Sequence, residues 1–154
     1  MSADCRKKFE SLPLSKVRIE GGFWGQRQEV NRRVTLPIEH RLCQETGRIG
    51  AFRLDWQPGQ EPVPHIFWDS DVAKWIEAVG YSLATHPDQE LAKMADEVID
   101  LIVAAQQPDG YLNVHFTIVE PEKRWTNLRD WHELYCAGHL MEAAVAYHEG
   151  TGKR

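Results

Sequence analysis

The chain has 154 residues, 18 of them basic and 23 acidic, which gives a formal net charge of −5. A chain of this length can form one domain with its own core, and its apolar content of 42% and charged content of 27% are ordinary for a globular protein. The acidic balance argues against a nucleic-acid partner, because nucleic-acid binders usually present a basic face. The sequence contains no apolar run long enough to span a membrane. We therefore expect neither a nucleic-acid partner nor a membrane.

The N-terminal segment and the cysteines indicate a reducing compartment. Residues 1–16 are polar and irregular, and they lack the apolar segment of a secretory signal. Cys5, Cys43 and Cys136 are odd in number and widely spaced, which is not typical of a disulfide framework. The sequence therefore favours a cytoplasmic protein.

The first third of the chain predicts one short extended segment and one helix. Residues 17–20 alternate between apolar and polar side chains, as in a short strand. Apolar residues recur at helical spacing from about 28 to 45. Pro37 lies inside that pattern, and because proline lacks an amide hydrogen we expect a kink or a late start there.

A clearer helix follows at residues 69–83, where one stripe of large side chains is predicted to face the core: Val72, Trp75, Ile76, Val79 and Leu83. Asp69 is placed where an N-cap residue would accept hydrogen bonds from the first-turn amides. Asp71 would favour the positive end of the helix dipole. Both carboxylates thus have a structural interpretation beside any functional one.

Two further helices complete the all-α prediction. The short link at residues 85–88 leads into a helix with the most regular amphipathic pattern of the chain, formed by Leu91, Met94, Ala95, Val98, Ile102 and Ala105. Residues 112–117 are predicted to be a short extended stretch. The last helix spans residues 130–150, and Asp130 with Glu133 resembles a capping box. Its apolar residues lie nearly all round, which predicts a buried helix.

The two long connections between these helices are rich in aromatic residues, namely Phe52, Trp56, Phe67, Trp68, Tyr111, Phe116 and Trp125. Long connections usually carry function or are disordered, and this composition is not a disordered one. Because successive helices usually pack antiparallel, both connections should emerge at one end of the helical array. That end would also hold the polar residues Asp69, Asp71, Asp130, His132 and Glu133, which predicts a binding rim.

The polar residues at this rim allow more than one interpretation. His132, Cys136 and His139 share a helical face and have a spacing that could hold a metal. No fourth ligand is identifiable, and a buried cysteine or histidine more often has a structural role, so we expect no metal here. Glu133 is either a capping residue or a functional carboxylate. His132 is equally consistent with a ligand-binding side chain and with a buried neutral one.

Aromatic rings beside carboxylates suit carbohydrate ligands, because sugars present apolar CH faces and hydroxyl groups together. The Asp109-Gly110-Tyr111 sequence predicts a turn that presents Tyr111 to a groove. Trp75 is predicted to lie in the core, and His86 and His148 at the surface. The sequence contains neither a glycine-rich phosphate loop nor the G-x-S-x-G and H-E-x-x-H motifs.

Five stretches of the sequence are distinctive together: GGFWGQRQEVNRRVTLP (21–37), AFRLDW (51–56), HIFWDSDVAKW (65–75), QQPDGYLN (106–113) and FTIVEPEKRWTNLRDWHELYCAGHL (116–140). They resemble the N-terminal part of glycoside hydrolase family 127, the β-L-arabinofuranosidase family. The resemblance covers residues 17–154 and is specific, because several long stretches match.

The resemblance implies an incomplete portion of an (α/α)6 barrel, built from antiparallel helical pairs. Members of the family release β-L-arabinofuranose with retention, using a cysteine nucleophile, a glutamate acid/base and a zinc ion held by cysteines and a glutamate. Those groups belong to later parts of the family's chain. We therefore expect no catalytic residue in this segment, no cofactor bound by it, and zinc only in the full-length site.

The resemblance assigns contact with a sugar hydroxyl to His132, and the rim predicted above adds further substrate-binding candidates: Trp68, Asp69, Asp71, Tyr111 and Glu133. A retaining glycosidase needs two groups that flank the scissile bond, and this segment is expected to supply one wall only. We therefore expect the 154-residue chain to be inactive alone and poorly folded. Its exposed apolar helix faces would permit self-association.

Two other functions stay open at this point. A sugar epimerase or isomerase on a similar helical barrel would use paired histidines as acid and base. A non-catalytic helical module would bind carbohydrate or a partner protein through the aromatic rim. The match of whole stretches favours the hydrolase, and the sequence does not specify the glycosidic linkage or the aglycone.

Overall fold

The computed structural model describes residues 11–153, and within that range the chain is helical and contains no β-strand. The α-helices are α1 (Gly22–Val30), α2 (Leu36–Glu45), α3 (Trp68–Thr85), α4 (Gln89–Ala105), α5 (His115–Ile118) and α6 (Glu133–Thr151). The predicted all-α fold is confirmed. Cys5 lies outside the described residues. Residues 17–20 have no regular structure, and although Val17 is extended, no strand forms there.

The first helical stretch begins earlier than the sequence pattern predicts. α1 and α2 are joined by a π-helical segment at Asn31–Thr35, so helical structure runs from residue 22 to residue 45 rather than from about 28. Pro37 is in the first turn of α2. Its ring would collide with the carbonyl of Arg33 in a regular α-helix, and the wider π-helical turn just before it relieves that collision.

α2 and α3 pack antiparallel, and two ion pairs mark the opposite ends of their contact. Arg48 Nε donates to Asp71 Oδ2 at 2.8 Å near the start of α3. Arg32 Nη1 pairs with Asp88 Oδ2 at 3.5 Å just beyond its end. All five residues of the predicted α3 stripe are buried: Val72, Trp75, Ile76, Val79 and Leu83.

α3 and α6 pack side by side and run parallel. A Cβ atom on Gly80 would lie 2.7 Å from the backbone carbonyl of Ala146, and one on Gly150 would meet the backbone of Gly80. The two helices therefore depend on glycine to approach each other closely. At their other ends, the ring centroids of Phe67 and His132 lie 6.0 Å apart. The predicted meeting of the two helix N-termini is confirmed.

α4 runs antiparallel to α6, with the Tyr147 hydroxyl donating to Ala92 O at 3.1 Å and to Asp96 Oδ1 at 2.8 Å. The predicted amphipathic face of α4 packs into the core. α6 is less covered than its sequence pattern predicts, because several of its apolar side chains are exposed in this chain: Leu134, Met141 and Val145. None of the described helices is long and apolar enough to cross a membrane.

Candidate functional site

The two long connections end where α3 and α6 begin, and we call this place the mouth: His65, Phe67, His132 and Tyr135 with the loop residues around them. The rings form a continuous row, with centroid separations of 4.2 Å between His65 and Phe67, 6.0 Å between Phe67 and His132, and 5.5 Å between His132 and Tyr135. His65, His132 and Tyr135 are exposed. The mouth thus combines aromatic surface with imidazole nitrogens.

His132 occupies the cap position of α6 in the left-handed conformation, with φ 60° and ψ 11°. That conformation costs a residue with a Cβ atom about 1–2 kcal/mol, and such strain is concentrated at functional sites. Its carbonyl accepts the amide hydrogen of Cys136 at 2.8 Å, while no hydrogen bond within residues 11–153 reaches its ring. The imidazole is therefore free to exchange hydrogen bonds with a ligand hydroxyl.

His65 is a mouth residue that the sequence analysis did not select, although it begins the HIFWDSD stretch. Partial burial and then the charges of His115 and His132 hold its pKa below the ordinary value. His115 itself is bound on both sides, with Nδ1 2.7 Å from Pro64 O and Nε2 3.3 Å from Glu120 Oε2. The lowered pKa favours the neutral imidazole of His65.

Glu133 is buried and holds the second long connection in place. Its carboxylate accepts the Tyr111 hydroxyl in a short hydrogen bond, and it accepts the Trp125 amide with separations of 3.1 Å and 2.9 Å to its two oxygens. Burial and this carboxylate raise the pKa of Tyr111. The predicted capping box is wrong: α6 begins at Glu133 itself, and Asp130 Oδ2 accepts from Asn127 Nδ2 instead.

Asp69 also anchors the second connection rather than capping a helix. α3 begins at Trp68, and no side chain caps its start, so the predicted N-cap role is wrong. Asp69 is 1% exposed, and its Oδ2 accepts the Val114 amide at 3.0 Å. Its Oδ1 has no hydrogen-bond partner in the described part of the chain. Burial raises the pKa of this carboxyl to about 7.

The stretch predicted to be extended at residues 112–117 instead contains the single turn α5. Asn113 is buried and its Oδ1 accepts the Phe116 amide at 3.0 Å, while the Thr117 hydroxyl donates to the Asn113 carbonyl at 2.6 Å. These local hydrogen bonds favour a turn over a strand. The extended prediction is therefore wrong at this position.

Trp68 and Asp71 lie behind the mouth. Trp68 is 8% exposed, and the guanidinium of Arg48 lies 5.2 Å from its ring centroid. Asp71 is partly exposed and paired with Arg48. The structure thus brings all six predicted substrate-binding residues to one end of the molecule, but it leaves only His132 well exposed there.

The cysteines do not form a thiolate metal site within the described residues. Cys136 is buried, its Sγ donates to Ile66 O at 3.5 Å, and burial raises the pKa of its thiol to about 12. Burial also raises the pKa of Cys43. The metal-type donors that converge within residues 11–153 are instead Glu77, His139 and Glu142. The donor set here therefore does not match zinc held by cysteines.

Helical pairs that gather two long loops at one mouth define an all-α domain. Residues 16–154 match the profile of the β-L-arabinofuranosidase GH127 catalytic domain. The chain therefore belongs to the GH127 β-L-arabinofuranosidase family, as its sequence resemblance predicts.

A similar curated protein is the non-reducing end β-L-arabinofuranosidase of Bifidobacterium longum subsp. longum, 47% identical over 91 residues. That match covers 56% of this chain and 14% of the relative. The chain thus spans a small part of the relative's length, and the activity of a whole protein does not follow from this match alone.

Two solved structures share the fold. A crystal structure of a GH127 β-L-arabinofuranosidase from Geobacillus stearothermophilus T6 has 49% identity and a TM-score of 0.82, covering 89% of this chain and 23% of that one. A second GH127 β-arabinofuranosidase has 38% identity and a TM-score of 0.84, covering 92% and 24%. These neighbours are (α/α)6 barrel enzymes, and the helices described here fit as part of such a barrel.

Proposed function

We propose that this chain supplies one wall of the sugar site of a retaining glycoside hydrolase that releases β-L-arabinofuranose from oligosaccharides or glycoconjugates. Family membership supports the reaction class. The main observation in support of the site is the exposed His132 imidazole. It lies between the Phe67 and Tyr135 rings, where the N-termini of α3 and α6 meet.

Within this wall, His132 is the side chain that touches the sugar. Its ring nitrogens can donate a hydrogen bond to one hydroxyl or accept one from it, while the neighbouring rings exclude water and pack against CH groups. Asp69, Tyr111 and Glu133 act behind it, because Asp69 Oδ2 accepts the Val114 amide and Glu133 accepts the Tyr111 hydroxyl and the Trp125 amide. Trp68 and Asp71 form the supporting layer with Arg48.

The reacting groups of the hydrolase are assigned to other parts of the protein. A retaining mechanism needs a nucleophile and an acid/base on opposite sides of the scissile bond. Cys136 is a buried thiol with a raised pKa, which disfavours the thiolate form. Zinc, which supplies Lewis-acid chemistry when it is bound, would be held by residues outside this segment. We expect the chain alone to leave an aryl β-L-arabinofuranoside intact, and measurable hydrolysis would contradict this.

The alternative functions are not favoured, since the family is one of glycoside hydrolases. No specific observation favours a paired-histidine epimerase or a non-catalytic module. A carbohydrate is thus the proposed partner. A cytoplasmic location is proposed from the free Cys43 and Cys136, and self-association from the exposed apolar residues of α6, such as Met141.

Sugar binding by the purified chain tests the site, with far-UV circular dichroism and amide NMR dispersion used first to select wild-type and variant preparations that are folded. Saturation-transfer NMR with methyl β-L-arabinofuranoside is expected to show binding with a Kd of roughly millimolar order, since one wall makes few contacts. The variant His132→Ala should lose that signal. His86→Ala is the matched control, because His86 is an exposed histidine at the far end of α3, and it should bind as the wild type does. Equal binding by both variants would remove His132 from the site.

A second probe separates the hydrolase from the module. Methyl α-D-glucopyranoside differs from the arabinofuranoside in ring size and hydroxyl arrangement. The proposed site should bind it at least about fivefold more weakly, a difference of roughly 1 kcal/mol. Equal binding of both glycosides would favour the non-catalytic carbohydrate-binding module.

A further inference from the structure

Trp125 is an exposed aromatic residue in a constrained backbone conformation. It lies in the connection between α5 and α6, is 48% exposed, and has a φ of 62°. A bulky residue in the left-handed region is uncommon and unfavourable. A glycine or asparagine would form this turn at lower cost, so the turn alone does not account for a tryptophan.

The backbone of Trp125 is fixed by the buried Glu133 carboxylate. Both carboxylate oxygens accept the Trp125 amide, at 3.1 Å and 2.9 Å, and Glu133 is 2% exposed. Hydrogen bonds to a buried charged group are stronger than those between neutral groups. The position of Trp125 is therefore set by the residue that directly follows His132.

The ring of Trp125 is also supported from one side. It meets the Tyr111 ring edge to face, with centroids 5.1 Å apart and an interplanar angle of 85°. Tyr111 is in turn covered by the Arg124 guanidinium, 3.6 Å from its centroid, and Arg124 Nη1 pairs with Asp109 Oδ2 at 2.9 Å. The Trp125 ring is already held in place and keeps an open surface. Packing a ligand on it therefore costs little conformational entropy of the protein.

The other tryptophans of the described chain are used differently. Trp68 and Trp75 are buried. Trp56 is partly buried, and its Nε1 donates to Gln60 O at 3.0 Å. Trp131 stacks on Phe116 with centroids 5.6 Å apart. Trp24 is 66% exposed, but it lies in α1, whose side of the molecule packs near the end of α3 rather than near its start. Trp125 thus stands out as a supported and open indole close to the mouth.

We propose that Trp125 is a stacking surface for a second sugar unit, the one adjacent to the unit held at His132. This inference rests on the proposed function and adds a specificity-determining residue, Trp125, to the same site. The CH face of the second sugar packs on the indole. Glu133, which directly follows His132, accepts the Trp125 amide at 2.9 Å, so the two rings belong to adjoining parts of the same mouth.

The experiment compares two probes with the purified chain, methyl β-L-arabinofuranoside and a β-L-arabinofuranosyl disaccharide. The disaccharide should bind more tightly than the monosaccharide glycoside by about tenfold, which corresponds to roughly 1.4 kcal/mol. Trp125→Ala should abolish this advantage while changing monosaccharide binding less than about twofold. Trp125→Phe should keep part of the advantage, because it retains an aromatic face.

Two further variants make the outcome decisive. Trp24→Ala is the matched control for loss of an exposed tryptophan and should leave both affinities unchanged. Trp125→Gly suits the positive φ, so it serves where Trp125→Ala does not fold. A disaccharide advantage that survives in Trp125→Gly overturns the stacking proposal. The proposed function fails by a different result, namely unchanged monosaccharide binding in His132→Ala.

Discussion

The two long connections are similar in length and aromatic content, but they are held in different ways. In the first connection, residues 57–63 are exposed, and the hydrogen bonds at its tip are local: Trp56 Nε1 donates to Gln60 O at 3.0 Å, and Gln57 N donates to Gln60 Oε1 at 2.8 Å. The second connection is anchored by two buried carboxylates, Asp69 and Glu133.

The first connection becomes anchored only where it meets the second connection and α6. His115 Nδ1 lies 2.7 Å from Pro64 O, and Cys136 Sγ donates to Ile66 O at 3.5 Å. The comparison teaches that buried hydrogen bonds, rather than aromatic content, make a long loop rigid. The second connection is thus the scaffold of the mouth, and the tip of the first is its adjustable part.

Removal of the Glu133 carboxylate should give the largest loss of unfolding free energy, because it removes an anchor of the second connection. Glu133→Ala leaves the Tyr111 hydroxyl and the Trp125 amide without their acceptor, which should lower the free energy of unfolding by about 3 kcal/mol. Urea denaturation of the purified chain measures this change. Glu122→Ala, an exposed acid on the same connection, is the control and should stay within about 0.5 kcal/mol. Equal effects of the two variants would contradict the anchoring role.

Asp69 should make stability depend on pH in an unusual direction. Its pKa in the folded state is about 7, above the ordinary value of 3.8. The folded carboxyl therefore stays protonated where the unfolded one ionises, and its contribution is full below pH 3.8 and is lost as the pH rises through 7. Between about pH 5 and pH 8 the wild type should lose roughly 2–3 kcal/mol relative to Asp69→Asn.

Urea denaturation of both proteins across this pH range gives the comparison. Asp71→Asn serves as the control, because Asp71 is partly exposed and its ion pair with Arg48 is screened by solvent. Parallel stability curves for the wild type and Asp69→Asn would show that Asp69 is ionised in the folded protein.

Loss of the bridge between the two connections should have an intermediate effect. His115→Ala removes the hydrogen bond to Pro64 O and should cost about 1 kcal/mol of unfolding free energy. Hydrogen exchange should become faster at the Trp68 amide, which donates to His65 O at 3.1 Å, because the end of the first connection loses its neighbour. Unchanged exchange there would mean that Cys136 alone holds this segment.

The smallest effect is expected at the tip of the first connection. Trp56→Ala removes a local hydrogen bond to Gln60 O in an exposed loop, so unfolding free energy should change by less than about 1 kcal/mol. The amides of Gln57, Gly59 and Gln60 should exchange quickly in the wild type, while those of Val114 and Trp125 are protected. Equal protection of the amides in the two connections would show that both are equally rigid, which contradicts the account.

The helices could be predicted from the sequence because their patterns are local. The spacing of Val72, Trp75, Ile76, Val79 and Leu83 is visible in the chain, and all five are buried. The lengths of the connections were enough to predict that the N-termini of α3 and α6 lie together, and they do. Trp75 lies in the core and His86 and His148 at the surface, as predicted.

The roles of the acids could not be predicted because their partners are distant in the sequence. Asp69 binds the amide of Val114, 45 positions away, and Glu133 binds Tyr111, 22 positions away. Local patterns offered an N-cap and a capping box instead, since those are the usual roles of acids at helix starts. His65 was missed for the same reason, because only the fold brings it to His132.

The most direct test of the mouth is protein-observed NMR with the labelled chain. Addition of methyl β-L-arabinofuranoside should shift the resonances of His65, Phe67, His132 and Tyr135 together. It should leave in place those of Gln89 and His148, at the opposite end of α4 and α6. Shifts confined to that distant surface, or none at the mouth at saturating sugar, would contradict the account.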